Sequence, residues 1–198
     1  MGGSRVVDMK KSVGVLALQG DFERHLKKLA ACGAVGVEVR DLETLYGSDA
    51  LIIPGGESTT LLKFFDTGGW WGPLEAWARE HPVMGTCAGA IVMAETVMGP
   101  YQPSLGLLPI AVERNAYGRQ VDSFATNIRE HTLGGESLPA FFIRAPKIRE
   151  VGEGVEVLAR LNGDPVMVRK GHFLALTFHP ELTEDERIHR YFLSAIIG

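Results

Sequence analysis

Cysteine is scarce in this chain. Two residues in 198, Cys32 and Cys87, exclude a disulfide scaffold and fit a reducing compartment. No Cys-x-x-Cys pair and no His/Cys cluster at zinc spacing occurs, so no metal site is expected. A net charge of −4 gives no general electrostatic reason to bind nucleic acid. No uninterrupted apolar stretch approaches the roughly 18 residues that span a bilayer, so no membrane segment is expected. Met1 to Lys11 lacks the apolar core of a secretory signal, and a cytoplasmic protein is expected. Repeats, low-complexity tracts and linkers are also missing. The chain is 45% hydrophobic and 22% charged, ordinary for a globular protein, at a length suited to one domain over residues 1–198. Met9-Lys10-Lys11 would make a sensible beginning, so residues 1–10 are read as disordered or as a non-native extension.

The first half reads as an α/β layout. Val13 to Leu18 is a continuous apolar run, the mark of a strand buried on both faces of a parallel sheet. A helix follows, with Phe22, Leu26, Leu29 and Ala30 on one face and Gly33 as its stop. Cys32 is read as core. Val35 to Val39 and Asp49 to Ile53 give two more strands. The second runs into Pro54-Gly55-Gly56-Glu57-Ser58-Thr59-Thr60 and a helix through Leu61, Leu62, Phe64 and Phe65. Two glycines between strand and helix allow close ligand approach and suit an oxyanion. A plain tight turn with Ser58 as N-cap explains them as well. Gly68 to Pro73 is a turn in which Trp70 and Trp71 are packing residues, followed by a short helix over Leu74 to Glu80.

Val83-Met84 then ends a strand, and Ala88 to Val97 is expected to be helical. Between them lies Gly85-x-Cys87-x-Gly89, the nucleophile-elbow pattern with cysteine in place of serine. A reactive side chain on such a turn sits on strained backbone, and flanking glycines remove clashes. A helix N-terminus favours a thiolate at Cys87, and the Ala88 N–H suits a developing oxyanion. On the elbow alone, a buried structural cysteine accounts for the pattern equally well.

The second half is richer in strands. Leu107 to Glu113 is followed by Arg114, and Phe141 to Ile143 by Arg144. Either arginine suits a carboxylate clamp or a solvated surface. Asn162-Gly163-Asp164 between Val155–Leu161 and Pro165–Arg169 signals a hairpin. Phe173 to Phe178 delivers His179-Pro180-Glu181. In extended backbone, residues two apart project to one face, where a carboxylate can fix an imidazole tautomer. His25, His81, His131, His172 and His189 lack such a setting. Glu184 to Ile197 is expected to close the chain as a helix, with Ile188, Tyr191, Phe192 and Ala195 inward. An elbow cysteine with a strand-end His-x-Glu suggests acyl transfer by a Cys-His-Glu triad.

Three stretches, Gly85-Thr86-Cys87-Ala88-Gly89, Pro54 to Thr60 and Phe178-His179-Pro180-Glu181, resemble class I (triad) glutamine amidotransferases. Leu16-Ala17-Leu18-Gln19-Gly20, Val112 to Phe124 and Phe142-Ile143-Arg144-Ala145-Pro146 are similar to the glutaminase subunits of pyridoxal 5′-phosphate synthase. The likeness runs from about Lys11 to the end, without departure at a motif position. It implies a flavodoxin-like fold in three layers: a largely parallel central sheet, flanking helices, and extra antiparallel strands in the C-terminal half. It further implies that Cys87 attacks the amide of L-glutamine, His179 shuttles the proton and Glu181 orients His179. Gly56 and Ala88 would form the oxyanion hole. Gly56, Glu57, Ser58, Arg114, Ile143 and Arg144 would bind glutamine. Gln19-Gly20 would complete the oxyanion hole on docking to a (β/α)₈-barrel synthase subunit, leaving the isolated chain a poor glutaminase. No metal or organic cofactor is implied. The competing readings are a glutaminase for another synthase, such as imidazole glycerol phosphate synthase, an elbow-cysteine peptidase or deglycase, and a non-catalytic module.

Overall fold

The computed structural model describes residues 11–114, 116 and 123–198. The expectation for residues 1–10, and positions 115 and 117–122 of the stretch after Arg114, lie outside the described residues.

In chain order the elements begin β1 (Ser12–Leu16), α1 (Phe22–Ala31), β2 (Val35–Val39), α2 (Leu42–Tyr46), β3 (Ala50–Ile53), α3 (Ser58–Gly68), α4 (Trp71–Ala78) and β4 (Val83–Thr86). Then come α5 (Ala88–Met93), β5 (Ala94–Met98), β6 (Leu108–Glu113), β7 (Ser123–Ile128), β8 (Glu130–His131), β9 (Leu138–Ile143) and β10 (Lys147–Val151). The last elements are β11 (Glu156–Leu161), β12 (Asp164–Lys170), β13 (Phe173–Leu176), a 3-10 turn at Pro180–Leu182, α6 (Arg187–Tyr191) and a π-helical turn at Phe192–Ile197.

The main sheet has the order β2-β1-β3-β4-β13-β12-β11-β8. It is parallel from β2 through β13, and β12, β11 and β8 add antiparallel pairings. The apolar runs are explained by two cores, one on each face. Along β3, Leu51 and Ile53 enter one core while Ala50 and Ile52 enter the other. On β13, Ala175 points to the first, and Leu174 and Leu176 to the second. A strand between two helical layers therefore has no solvent face on which to alternate. Each fully buried Leu or Ile contributes about 1.5–3 kcal/mol over its exposed state. The layout is α/β in three layers, as expected, with the antiparallel strands in the C-terminal half. A three-stranded sheet β10-β6-β5 and the pair β7-β9 flank it. Among the described residues, no helix is long and apolar enough to cross a membrane.

Several boundaries differ from expectation. Helix α5 stops at Met93 rather than Val97, and Ala94–Met98 is a strand paired in parallel with β6. The carbonyls of Val92 and Met93 accept from the amides of Leu105 and Leu107, which ends the helical ladder. Thr96 and Val97 are β-branched and settle readily in the strand that follows. Helix α2 is absent from the sequence reading. Its signal was Asp41, whose carboxylate caps the Thr44 amide at 2.8 Å. Helix α4 begins at Trp71, earlier than expected, while Trp70 packs on Phe65 and is buried. Cys32 lies half-buried at the end of α1 rather than in the core. The Asn162-Gly163 hairpin is present, both residues having positive φ. In the closing segment Ile188 and Phe192 are buried, but Ala195 is exposed. The π-helical turn is the reason. Its longer repeat carries Ile196 and Ile197, not Ala195, back against the core.

Candidate active site

The Cys87 amide donates to the Leu176 carbonyl at 2.8 Å, extending the β4–β13 ladder by one bond. There the chain turns sharply. Cys87 has φ 50° and ψ −103°, a region that costs a non-glycine residue about 1–3 kcal/mol. Close packing around it over-determines that backbone. A Cβ on Gly89 would stand 2.0 Å from the Ile53 carbonyl oxygen, and one on Gly85 would stand 2.6 Å from the Gly89 backbone. Both glycines of the elbow are therefore required for α5 to rest on the strand ends.

His179 and Glu181 approach from β13. They meet through a turn, not through the extended strand expected from sequence. β13 ends at Leu176, and Glu181 belongs to the 3-10 turn. The His179 amide donates to the Phe141 carbonyl at 2.8 Å, so the end of β9 pins it. His179 Nδ1 lies 2.7 Å from Glu181 Oε1, and both residues are buried. With Nδ1 committed to the carboxylate, Nε2 is left for the thiol. Burial works against a charged imidazole here, but Cys87 and Glu181 outweigh it and push the His179 pKa up to about 10. Burial likewise opposes ionisation of Glu181, yet His25 and His179 hold its carboxyl below the usual carboxylate range. The Cys87 Sγ lies 3.8 Å from the Ile143 carbonyl oxygen. A thiol, a protonatable imidazole and a buried carboxylate in this order can perform nucleophilic acyl transfer.

The sequence reading left His25 and His189 without a role. The structure overturns this: both are fully buried, and His25 Nδ1 stands 3.0 Å from His189 Nε2. His25 Nε2 faces Glu181 Oε2 at 3.4 Å. The signal was the position of His25 between Phe22 and Leu29 on the apolar face of α1, where Ala30 is exposed. Burial lowers the pKa of His25, and that of His189 to about 3. Unfolding below about pH 6.5 therefore takes up protons that the native state refuses. From pH 6.5 to 5 the His189 ring should cost about 1.5 kcal/mol of stability, and the His25 ring adds to the loss in the same direction. His179, with its raised pKa, is already protonated in the native state over that range, and completing its protonation in the unfolded state offsets about 0.4 kcal/mol of this loss. Urea midpoints at the two pH values check this, and a flat profile would exclude a neutral histidine pair. His189→Gln should remove the His189 share of that slope.

A cavity of about 250 Å³ opens in front of Cys87. Gly20, Gly56, Glu57, Ser58, Cys87, Arg114, Ile143, Arg144 and His179 all line it. It thus collects the β1–α1 turn, the β3–α3 loop, the elbow and the ends of β6 and β9. Glu181 stands behind His179, and Ala88 is buried beside Cys87; neither lines the cavity. Arg114 Nη2 lies 3.9 Å from Glu57 Oε1, with the arginine side chain 10% exposed. Arg144 is exposed at φ 42°. Ser58 does not cap α3, since Glu57 holds the cap position. Its hydroxyl donates instead to Gln102 Oε1 at 3.0 Å, a buried residue that the sequence did not single out. Gln19 Oε1 accepts from the Glu57 amide at 3.0 Å, which ties the β1–α1 turn to the glycine loop. Among the described residues, no group of three or more His, Cys, Asp or Glu side chains could hold a metal ion.

Residues 15–198 match the SNO glutamine amidotransferase family. A curated relative in Pelotomaculum thermopropionicum, pyridoxal 5′-phosphate synthase subunit PdxT, is 54% identical over 186 residues, covering 93% of this chain and 95% of that one. The protein of the same name in Thermus thermophilus is 52% identical over 192 residues, covering 93% and 97%. A crystal structure described as a glutamine amidotransferase superposes with a TM-score of 0.86 at 51% identity, covering 94% of this chain and 98% of that one. A putative GMP synthase component from Thermoplasma acidophilum, at 18% identity and a TM-score of 0.69, covers 95% of this chain and 94% of its own and shares the fold. With a family match running from β1 to the last residue and relatives at about half identity over nearly their whole length, this chain belongs to the SNO glutamine amidotransferase family.

Proposed function

We propose that this chain is the glutaminase subunit of pyridoxal 5′-phosphate synthase, hydrolysing L-glutamine to L-glutamate and ammonia. The observation that carries the chemistry is His179, held between Cys87 and the buried Glu181 at the wall of a small cavity. Cys87 Sγ attacks the side-chain amide carbon of glutamine, and His179 takes the thiol proton. His179 then protonates the departing ammonia as the tetrahedral adduct collapses to a γ-glutamyl thioester. A water gives its proton to His179, attacks the thioester and releases glutamate and the thiol. Glu181 keeps Nδ1 protonated throughout, so that Nε2 does the exchange. Gly56 and Ala88 supply the oxyanion hole, where loss of one donor typically costs 10²–10³-fold in rate.

An amino acid is zwitterionic and needs one partner of each sign. Glu57 meets the ammonium, with Ser58 beside it. Arg114, Arg144 and the Ile143 backbone meet the carboxylate. Glu57 and Arg114 face each other at the cavity wall at 3.9 Å, which puts one charge of each sign there. The relatives in Pelotomaculum and Thermus, both pyridoxal 5′-phosphate synthase subunits, favour this reading over service to imidazole glycerol phosphate synthase. The partner is then a (β/α)₈-barrel synthase subunit that receives ammonia before it is lost as ammonium to bulk solvent. Docking reorganises Gln19-Gly20, whose side chain is at present bound to the Glu57 amide. We read residues 1–198 as one amidotransferase domain and place it in the cytoplasm, which the two free thiols Cys32 and Cys87 support.

Glutamate release measured with and without the synthase subunit tests the proposal. Stimulation of roughly 100-fold is expected, the scale at which completing an oxyanion hole acts. Equal turnover in both cases would remove the synthase subunit from the mechanism.

A further inference from the structure

The triad uses one oxygen of Glu181 and leaves the other to be accounted for. Oε1 meets His179 Nδ1 at 2.7 Å. Oε2 is buried and has no hydrogen-bond partner at ordinary distance among the described residues. An ionised carboxylate stays charged in an apolar interior only when groups of opposite polarity face it. The group facing Oε2 is His25 Nε2, at 3.4 Å, with both side chains fully buried.

The tautomer of His25 follows from its neighbours. His25 Nδ1 and His189 Nε2 are 3.0 Å apart, with one proton between them. Were that proton on His25, its Nε2 would turn a lone pair toward the Glu181 carboxylate. The other arrangement is complementary at each contact. His189 Nε2–H donates to His25 Nδ1, and His25 Nε2–H points toward Oε2 and toward Thr86 Oγ1, which is also 3.4 Å away. Both rings are then neutral. The titratable groups acting on His25 are Glu181 and His179 from the turn after β13, Asp21 at the start of α1, and His189 from α6; Lys28 also acts on His189.

We propose that His25 is a positioning residue for the triad. Its Nε2–H fixes Glu181 so that the other carboxylate oxygen meets His179, and His189 holds His25 in the required tautomer. The inference rests on reading Cys87, His179 and Glu181 as the triad. It places on α1 a part of the catalytic apparatus that lies far from the elbow and from His179 in sequence.

Two substitutions separate this role from a merely structural one. In His25→Asn the amide occupies the place of Nδ1, so the contact to His189 is kept and that to Glu181 is lost. In His25→Gln the longer side chain puts an N–H at the place of Nε2 and restores the contact to Glu181. In the complex with the synthase subunit, His25→Asn should lower kcat roughly 10- to 100-fold with KM changed less than about twofold, the signature of misplaced reacting groups. His25→Gln should return kcat to within about fivefold of the parent. Equal losses in the two variants, or an unchanged kcat in His25→Asn, would overturn the proposal. Should His25→Asn not fold, His189→Leu removes the donor to Nδ1. A lower kcat at constant KM then supports the proposal, and an unchanged kcat overturns it.

Alkylation of Cys87 by iodoacetamide, read by peptide mass so that Cys32 is scored apart, needs no glutamine. The acid limb of its rate profile should rise by about one pH unit in His25→Asn and return in His25→Gln, because a loosely held Glu181 supports the imidazolium less well. If no variant or parent releases glutamate but the limb shifts and returns, the glutaminase reading fails and the positioning role stands. If glutamate is released and all three profiles coincide, the positioning role fails and the glutaminase reading stands.

Discussion

Replacing Cys87 with alanine should abolish glutamate release, by about 10⁴-fold or more, while leaving the fold in place. The expectation follows from geometry at the elbow. Cys87 is the residue at the sharp turn out of β4, its thiol faces the cavity, and His179 stands beside it. The only other thiol, Cys32, sits half-buried at the far end of α1 and lines no part of that cavity. No second thiol is therefore at hand to take over the attack, and what remains is the rate from binding and electrostatics alone. Cys87→Gly sharpens the test. At φ 50° a glycine is at ease where cysteine is strained, so this variant should be inactive yet more stable than Cys87→Ala by about 1 kcal/mol. Steady-state glutamate release and urea midpoints on the two variants measure both effects. Activity surviving in either would move the nucleophile elsewhere.

Gly55→Ala should lower kcat by roughly 100-fold although residue 55 carries no chemistry. Its added methyl would stand 2.3 Å from His179 Cε1, 3.0 Å from His179 Nδ1 and 3.2 Å from Cys87 Cβ. The loop cannot withdraw cheaply, because the Gly55 amide donates to the buried Thr86 hydroxyl at 3.1 Å. The imidazole must yield instead, and the hydrogen bond to Glu181 moves with it. Overpacking of this kind costs typically 1–3 kcal/mol of stability as well. Gly72→Ala, at a position with nothing within 4 Å of the added methyl, is the control and should change neither rate nor folding. Rates, KM and melting temperatures of the two variants decide the matter, and an active Gly55→Ala would mean that His179 has room to spare.

Much of the molecule is legible before any coordinates. The apolar runs at β1, β3 and β13 are strands, as read, and β1 is buried on both faces as its lack of alternation implied. The Asn162-Gly163 hairpin is where its turn residues put it. What misleads is local pattern where distant partners decide. Ala88 to Val97 has helical composition throughout, yet Leu105 and Leu107 take the carbonyls that its last turn would need. Glu184 to Ile197 keeps an apolar stripe at α-helical spacing, yet a π-helical turn rotates Ala195 outward.

The candidate site divides along the same line. The elbow at Cys87, the glycine loop before α3 and the His179–Glu181 pair are written in the residues themselves, because each is set within a few positions by steric rules that a short stretch obeys or breaks. Long-range packing had to bring Arg114, Arg144 and Glu57 to one cavity, and to turn Ser58 toward Gln102 rather than onto its own helix end. Packing also made the environment of Glu181. His25 sits on the apolar face of α1, but nothing in the sequence pairs it with His189, 164 residues away. They become a buried pair because α1 and α6 rest on the same face of the sheet, a contact that no local pattern encodes.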